Sequence, residues 1–130
     1  MKLLLDTHIF LWYITGDPRL PATVLPFIRD PANEVYLSPV SVWETIVKYQ
    51  LGKLPLPQSP EVYVPQQRQR HQMKSLPLDE DSVTNLAQLP ALHKDPFDRM
   101  LICQAIQHGL TLASTDDAVR NYSAHISLIP

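Results

Sequence analysis

Short apolar runs separated by polar, proline-containing joints set the pattern of this chain. The first run, Lys2-Leu3-Leu4-Leu5-Asp6, is continuously apolar and ends on a carboxylate. Continuity of this kind marks a strand buried on both faces, as in a parallel sheet covered on each side. A helix is expected over 7–12, and another over 21–29 that the Asp30-Pro31 turn ends. The run 34–38 reads as a second strand, followed by a helix over 41–51 that Gly52 closes. Residues 66–72 look helical but polar, 75–78 suit a short strand, and 79–89 a helix. Asp95 is placed to cap a strong helix with Pro96 at its first position and Leu101, Ile102, Ala105 and Ile106 as its apolar stripe; Gly109 stops it. A strand over 110–114, a short helix over 116–121 and a last strand over 126–129 complete the pattern.

Strands alternating with helices imply parallel pairing through right-handed crossovers, hence an α/β sandwich. A length of 130 residues fits one domain, 1–130, and a hydrophobic content of 45% can fill its core. The 13 prolines act as punctuation between elements. In open sheets of this kind ligands bind beyond the carboxyl ends of the strands, where strand order reverses, so chemistry is sought there.

Charge and cysteine usage narrow the function. A net charge of −2 and a pI near 6.2 argue against a basic surface that coats nucleic acid. They do not count against an enzyme whose own site is anionic. Cys103 is the only cysteine, which rules out an intramolecular disulfide and a cysteine-based zinc site, and fits a reducing compartment. Its apolar helical surroundings make it a core residue. The apolar start resembles a signal peptide, but Asp6 and His8 interrupt it and no small-x-small cleavage site follows. No apolar run approaches the length of a membrane span. A soluble, cytoplasmic protein is expected.

Four acids fall where the topology directs attention. Asp6 closes the first strand, Glu44 lies one turn into the helix after the second, Asp98 is in the first turn of its helix, and Asp116 follows the strand ending at Ser114. A parallel sheet sends all four to its carboxyl edge. Carboxylates so gathered repel one another unless a cation joins them, and oxygen-only ligation selects Mg²⁺ or Mn²⁺ over zinc. Three of these acids also have a capping reading. Ser41 and Glu44 match a capping box, Asp98 favours the helix dipole, and Asp116 or Asp117 could cap the helix that follows. Asp6 has no capping role apparent from sequence.

Several segments resemble the PIN-domain family, and within it the VapC-type toxin ribonucleases of toxin–antitoxin pairs. They are Leu4-Leu5-Asp6-Thr7-His8, then Ser38-Pro39-Val40-Ser41-Val42-Trp43-Glu44 followed by Lys48, then Gly52-Lys53-Leu54. They continue with His93-Lys94-Asp95-Pro96-Phe97-Asp98-Arg99-Met100-Leu101, and with Leu112-Ala113-Ser114-Thr115-Asp116 and Tyr122 beyond. The resemblance runs nearly end to end, and the His-x-Asp-Pro-Phe-Asp-Arg segment is its most specific part. It implies a three-layer sandwich around a central, mainly parallel five-stranded sheet. It implies a Mg²⁺- or Mn²⁺-dependent endoribonuclease acting on RNA, a homodimer, and a cognate antitoxin that inserts a segment into the acidic groove. Carried over as metal-binding and catalytic residues are Asp6, Glu44, Asp98 and Asp116.

The closing segment departs from the family pattern, because Thr115 stands where a basic residue commonly precedes the fourth acid. Asp117 is therefore a neighbour to weigh against Asp116, and distance from the strand end favours Asp116. Asp95 could support the site or simply cap its helix. Thr7 and Ser114 could orient carboxylates or be satisfied strand-end hydroxyls. His8 and His93 read as hydrogen-bonding residues rather than general bases. Arg99, Lys48 and the stretch Arg68, Arg70, His71 and Lys74 are candidates for RNA phosphate contact, against a solvated helix face for the stretch. Trp12, Trp43 and Phe97 are expected in the core or a dimer interface. A haloacid-dehalogenase-type phosphatase is a rival, but it needs an acid two residues after Asp6, where His8 stands. A non-catalytic binding module is the other, set against the presence of all four acids.

Overall fold

The computed structural model describes residues 1–129. Its first strand, β1 (Lys2–Leu5), buries Leu3, Leu4 and Leu5 completely. Successive side chains of a strand point to opposite faces. Leu3 and Leu5 accordingly join one apolar cluster with Ile9, Phe10, Ile28, Leu37 and Val64, while Leu4 joins another with Leu101, Ile102, Leu112 and Tyr122. Both faces of the sheet are thus covered, and three layers result.

The remaining strands are β2 (Glu34–Leu37), β3 (Lys74–Ser75), β4 (Thr111–Ala113) and β5 (Ser127–Leu128), and the sheet order is β3-β2-β1-β4-β5. Every pairing is parallel, with Leu4 opposite Tyr36 on one side and Leu112 on the other. The chain winds from β1 outward through β2 to β3, then returns to the far side of β1 for β4 and β5. Strand order therefore reverses between β1 and β4.

The helices between the strands are α1 (Thr7–Thr15), α2 (Leu25–Arg29), α3 (Pro39–Gln50), α4 (Pro60–Arg70), α5 (Glu80–Thr84), α6 (Pro96–His108) and α7 (Asp117–Arg120). Several differ from the lengths expected from sequence, for local reasons. The helix expected over 21–29 starts only at Leu25, with Pro26 in its first turn, because a proline deeper in a helix would lack its hydrogen bond. The helix expected over 41–51 begins earlier: Ser38 caps it through the Val40 amide at 3.0 Å, and Pro39 leads it. The polar helix of 66–72 is the end of a longer α4, also led by a proline. The helix expected over 79–89 stops at Thr84 and continues as a 3₁₀ turn, Asn85–Ala87, where Ser82, Val83, Thr84 and Asn85 are all weak helix formers. Strand β3 ends at Ser75, just ahead of Pro77, which cannot donate to a ladder. Asp95, Pro96 and Gly109 start and end α6 as the pattern requires, Gly109 with a positive φ of 63°. Cys103 is fully buried. No helix among the described residues is long and apolar enough to cross a membrane.

Candidate metal centre

The site grows out of the reversal between β1 and β4. Asp6 leaves β1 at its carboxyl end and its amide donates to the Ala113 carbonyl of β4 at 3.0 Å. Its side chain accepts from the His8 amide at 2.8 Å and from the Ser114 hydroxyl at 2.6 Å. Asp6 thus caps α1, a role the sequence had not suggested, and is only 5% exposed. Burial raises its pKa despite those hydrogen bonds.

Glu44 comes from α3 and is 2% exposed. Because Ser38 rather than Ser41 caps α3, the capping-box reading of Glu44 does not apply. Its Oε1 accepts from the Thr7 hydroxyl at 2.7 Å, and its other oxygen pairs with the Lys48 ammonium one turn on. Thr7 and Ser41 hydroxyls lie 2.9 Å apart. The single Thr7 proton is committed to Glu44, so Ser41 donates in that contact.

Asp98, in the first turn of α6, is 8% exposed. Its Oδ2 lies 2.8 Å from His93 Nε2. Burial, opposed by the His93 hydrogen bond and reinforced by the nearby negative charges of Asp6, Asp95 and Glu44, pushes its pKa up to about 7. Asp95 caps α6 through the Phe97 and Asp98 amides at 2.8 and 3.3 Å.

Asp116 follows β4 and caps α7 through the Ala118 amide at 2.8 Å. It remains exposed, with its own amide donating to Ser114 Oγ at 3.1 Å. Ligand atoms of His93, Asp98 and Asp116 all lie within 4.8 Å of one another. Asp117 is outside that group and occupies the first turn of α7. Asp6 and Glu44 are outside it too, one step deeper, and reach Asp98 through the field that raises its pKa.

The donor chemistry suits a hard divalent cation. Four carboxylates face one edge, two of them raised in pKa by burial and mutual repulsion, which a 2+ charge would reverse. His93 fits as the partner that fixes Asp98, leaving oxygen to the ion.

Two residues of the site were not singled out from sequence in the roles they take. Tyr122 is fully buried, and its hydroxyl donates to the Pro90 carbonyl at 2.6 Å while accepting from the Leu92 and His93 amides at 2.9 and 3.1 Å. Arg99 points its Nη1 into the same knot, 3.1 Å from Tyr122 Oη and 3.1 Å from the Pro90 carbonyl. Together they pin the loop that presents His93. Arg99, a candidate for phosphate contact, is committed here to structure. Of the stretch considered with it, Arg68 donates to the Met73 carbonyl at 3.0 Å and Lys74 pairs with Glu34 at 2.9 Å, out along the β2–β3 edge. Trp43 is 55% exposed and meets Phe97 edge-on, with centroids 4.7 Å apart, so it is no part of the core.

Fold and site together define a parallel α/β sandwich with an acidic centre at its topological switch point. The PIN domain family model matches residues 3–124, and the chain belongs to that family. Ribonuclease VapC16 of Mycobacterium tuberculosis is 36% identical over 66 residues. That stretch is 48% of this chain and 47% of the relative, so the match spans about half the length of each. Among solved structures, VapBC2 from Rickettsia felis bound to a DNA fragment from their promoter superposes with a TM-score of 0.69 at 14% identity, over 98% of this chain and 97% of that one. DNA-bound VapBC from Salmonella typhimurium gives 0.65 at 18% identity, over 98% and 96%. FitAcB from Neisseria gonorrhoeae gives 0.62 at 21%, over 98% and 96%. At these identities the likeness is one of fold.

Proposed function

We propose that this protein is a divalent-metal-dependent endoribonuclease, the toxin of a toxin–antitoxin pair. The observation that carries the reading is the grouping of Asp98 and Asp116 with His93 within 4.8 Å at the β1–β4 switch point, with Asp6 and Glu44 near enough for their charges to act on Asp98. The likeness to Ribonuclease VapC16 supports RNA as substrate, and the VapBC fold neighbours support a cognate antitoxin as partner. A homodimer and a cytoplasmic location belong to the same reading.

Mg²⁺ or Mn²⁺ would be held by the four acids. The chemistry supplied by the ion when bound is Lewis acidity toward a phosphodiester oxygen and a water acidic enough to attack phosphorus near neutral pH. The chain's own residues prepare for it. Ser114 and the His8 amide fix both oxygens of Asp6, Thr7 and Lys48 those of Glu44, and His93 one of Asp98. Exposed Asp116 leaves the open side, where a phosphate can approach and a proton can be taken up. No side chain at the site is placed as a protein nucleophile, so hydrolysis proceeds without a covalent intermediate in this reading.

The test is incubation of the purified protein, freed of any partner, with a mixed RNA pool and Mg²⁺ or Mn²⁺. Cleavage lost both in EDTA and in Asp98→Ala establishes the nuclease. A folded protein that binds no divalent ion and cleaves nothing is instead a binding module on the same fold.

A further inference from the structure

Beside the acidic centre, α1 and the segment after α3 enclose a cavity of about 430 Å³ whose charge is opposite to that of the site. Its lining includes His8, Trp12, Asp17, Arg19, Lys53 and Leu54. Two permanent cations face one carboxylate there, in a chain whose net charge is −2. The lone acid is not free to repel an anion. Asp17 holds Arg19 with both oxygens, Nη2 at 2.8 Å and Nε at 3.1 and 3.2 Å, and also accepts from its amide. So anchored, the guanidinium stands 5.3 Å from the Trp12 ring centre, and its Nη1 has no partner among the described residues. Lys53 has no ion pair among the described residues.

One residue, His8, borders both the cavity and the centre. The His8 amide binds Asp6, and its ring Nε2 lies 3.4 Å from Lys48 Nζ, which in turn pairs with Glu44. Lys48 on α3, His8 at the start of α1, and Lys53 and Arg19 in the cavity lining thus place basic groups beside the acids. Helix α1 advances about 1.5 Å per residue, so the stretch from His8 to Thr15 covers about 10 Å. Aromatic faces lie along the same path, with His8 and Trp12 ring centres 5.8 Å apart and tilted by 31°. Cations that follow a backbone beside rings that meet bases are the means by which proteins hold single strands.

We propose that this groove is a subsite for single-stranded RNA, holding the nucleotides next to the cleaved phosphate, with Arg19 and Lys53 on the backbone and Trp12 against a base. The subsite rests on the nuclease reading above and extends it, since it sets which side of the cut the strand is gripped on. Lys74, on the edge strand β3 and paired with Glu34, takes no part.

The experiment measures binding separately from cleavage. A fluorescein-labelled, mixed-sequence single-stranded RNA of about eight nucleotides is titrated with protein in EDTA at several salt concentrations. Arg19 and Lys53 are exposed, and among the described residues the Arg19 side chain hydrogen-bonds only Asp17, two residues away, so the Arg19→Gln/Lys53→Gln double variant is expected to keep its fold, checked by circular dichroism. It is expected to bind about ten-fold more weakly, and the slope of log affinity against log salt is expected to fall by about 1.4, or roughly 0.7 per lost phosphate contact. Trp12→Leu is expected to lose affinity with the salt slope unchanged. In a Trp43→Phe background, RNA is expected to quench the remaining Trp12 fluorescence. A double variant with the parent's affinity and slope, from a parent that cleaves RNA, overturns the subsite, turns the groove over to a protein partner and leaves the nuclease intact. A parent that neither binds nor cleaves RNA overturns both.

Discussion

Replacing Asp98 by asparagine is expected to stabilise the metal-free protein above neutral pH, although the same change abolishes its proposed activity. The carboxyl group has a pKa of about 7 in the folded chain against an ordinary value of 3.8. Between those limits the folded state keeps a proton that the unfolded chain has released, so stability falls as pH rises through the window. Below pH 4 both states are protonated and Asp98 adds no pH dependence. Above pH 7 both are ionised, and the full cost of a buried, crowded charge is present. A rise of about three pH units, at about 1.4 kcal/mol each, sets a ceiling near 4 kcal/mol. Relaxation around the charge makes about 2–3 kcal/mol a fairer figure. Asparagine keeps the shape and a hydrogen bond for His93 but carries no charge. Urea denaturation in EDTA is then expected to show the variant about 2–3 kcal/mol more stable than the parent at pH 8, with the gap closing by pH 4. Addition of Mn²⁺ is expected to narrow the pH 8 gap, because an ion bound by the folded parent stabilises it. A variant no more stable than the parent in EDTA at pH 8 would refute the claim that the centre is electrostatically strained without its ion.

Other perturbations test the supports of the site. Tyr122→Phe removes the hydroxyl that binds Pro90, Leu92, His93 and Arg99, and is expected to cost about 2–3 kcal/mol in denaturant unfolding, with faster amide exchange over 90–93. Ser114→Ala deprives Asp6 of its 2.6 Å donor, and about 1–3 kcal/mol is expected to be lost at pH 8. Because that bond favours ionised Asp6, the loss is expected to shrink in acid. Asp95→Ala removes the cap of α6 and is expected to lower stability by about 1 kcal/mol, read from the thermal midpoint. Leu4→Ala, at a fully buried position of the central strand, is expected to cost about 3–4 kcal/mol by the same measurement.

Much of the architecture is legible in the chain because its strongest signals are local. Three consecutive buried leucines in β1 cannot sit in a one-sided sheet, and Asp95-Pro96 with Gly109 brackets α6 without help from tertiary structure. The weaker elements were misjudged at their ends, where proline position and tertiary contact decide. Periodicity alone did not show that Ser38, not Ser41, caps α3, a difference that frees Glu44 to meet Thr7 across 37 positions of sequence. The four acids are candidates because topology sends strand ends and helix starts to one edge. The Tyr122–Arg99 knot was not visible, because a contact between α6 and the far end of the chain leaves no local trace. His93 was seen as a hydrogen-bonding residue, but its partner Asp98 emerged only with the folded loop.

Capping and site membership read from sequence as alternatives for Asp116 and Asp95, and the structure makes them compatible and adds Asp6, whose cap had no local signal. Asp6, Asp95 and Asp116 each cap a helix, and the helices they cap all start at the carboxyl edge of the sheet. That coincidence has a cause. In a parallel sheet a helix that runs back to the start of the next strand begins at the carboxyl edge, so the residue that must satisfy its first amides can also face the ligand cleft. A short carboxylate serves the cap with one oxygen and has a second to present, which in Asp6 the Ser114 hydroxyl orients. Asp116 Oδ1 accepts from the Ala118 amide, and Asp6 Oδ1 accepts from the His8 amide. The positive ends of α1, α3, α6 and α7 then converge on the acids and offset part of their repulsion. What remains, together with burial, raises the Asp98 pKa to about 7, and a divalent ion would relieve it. In the metal-dependent reading proposed above, the chain can therefore fold around this cluster before an ion arrives, and the residual repulsion would favour binding one.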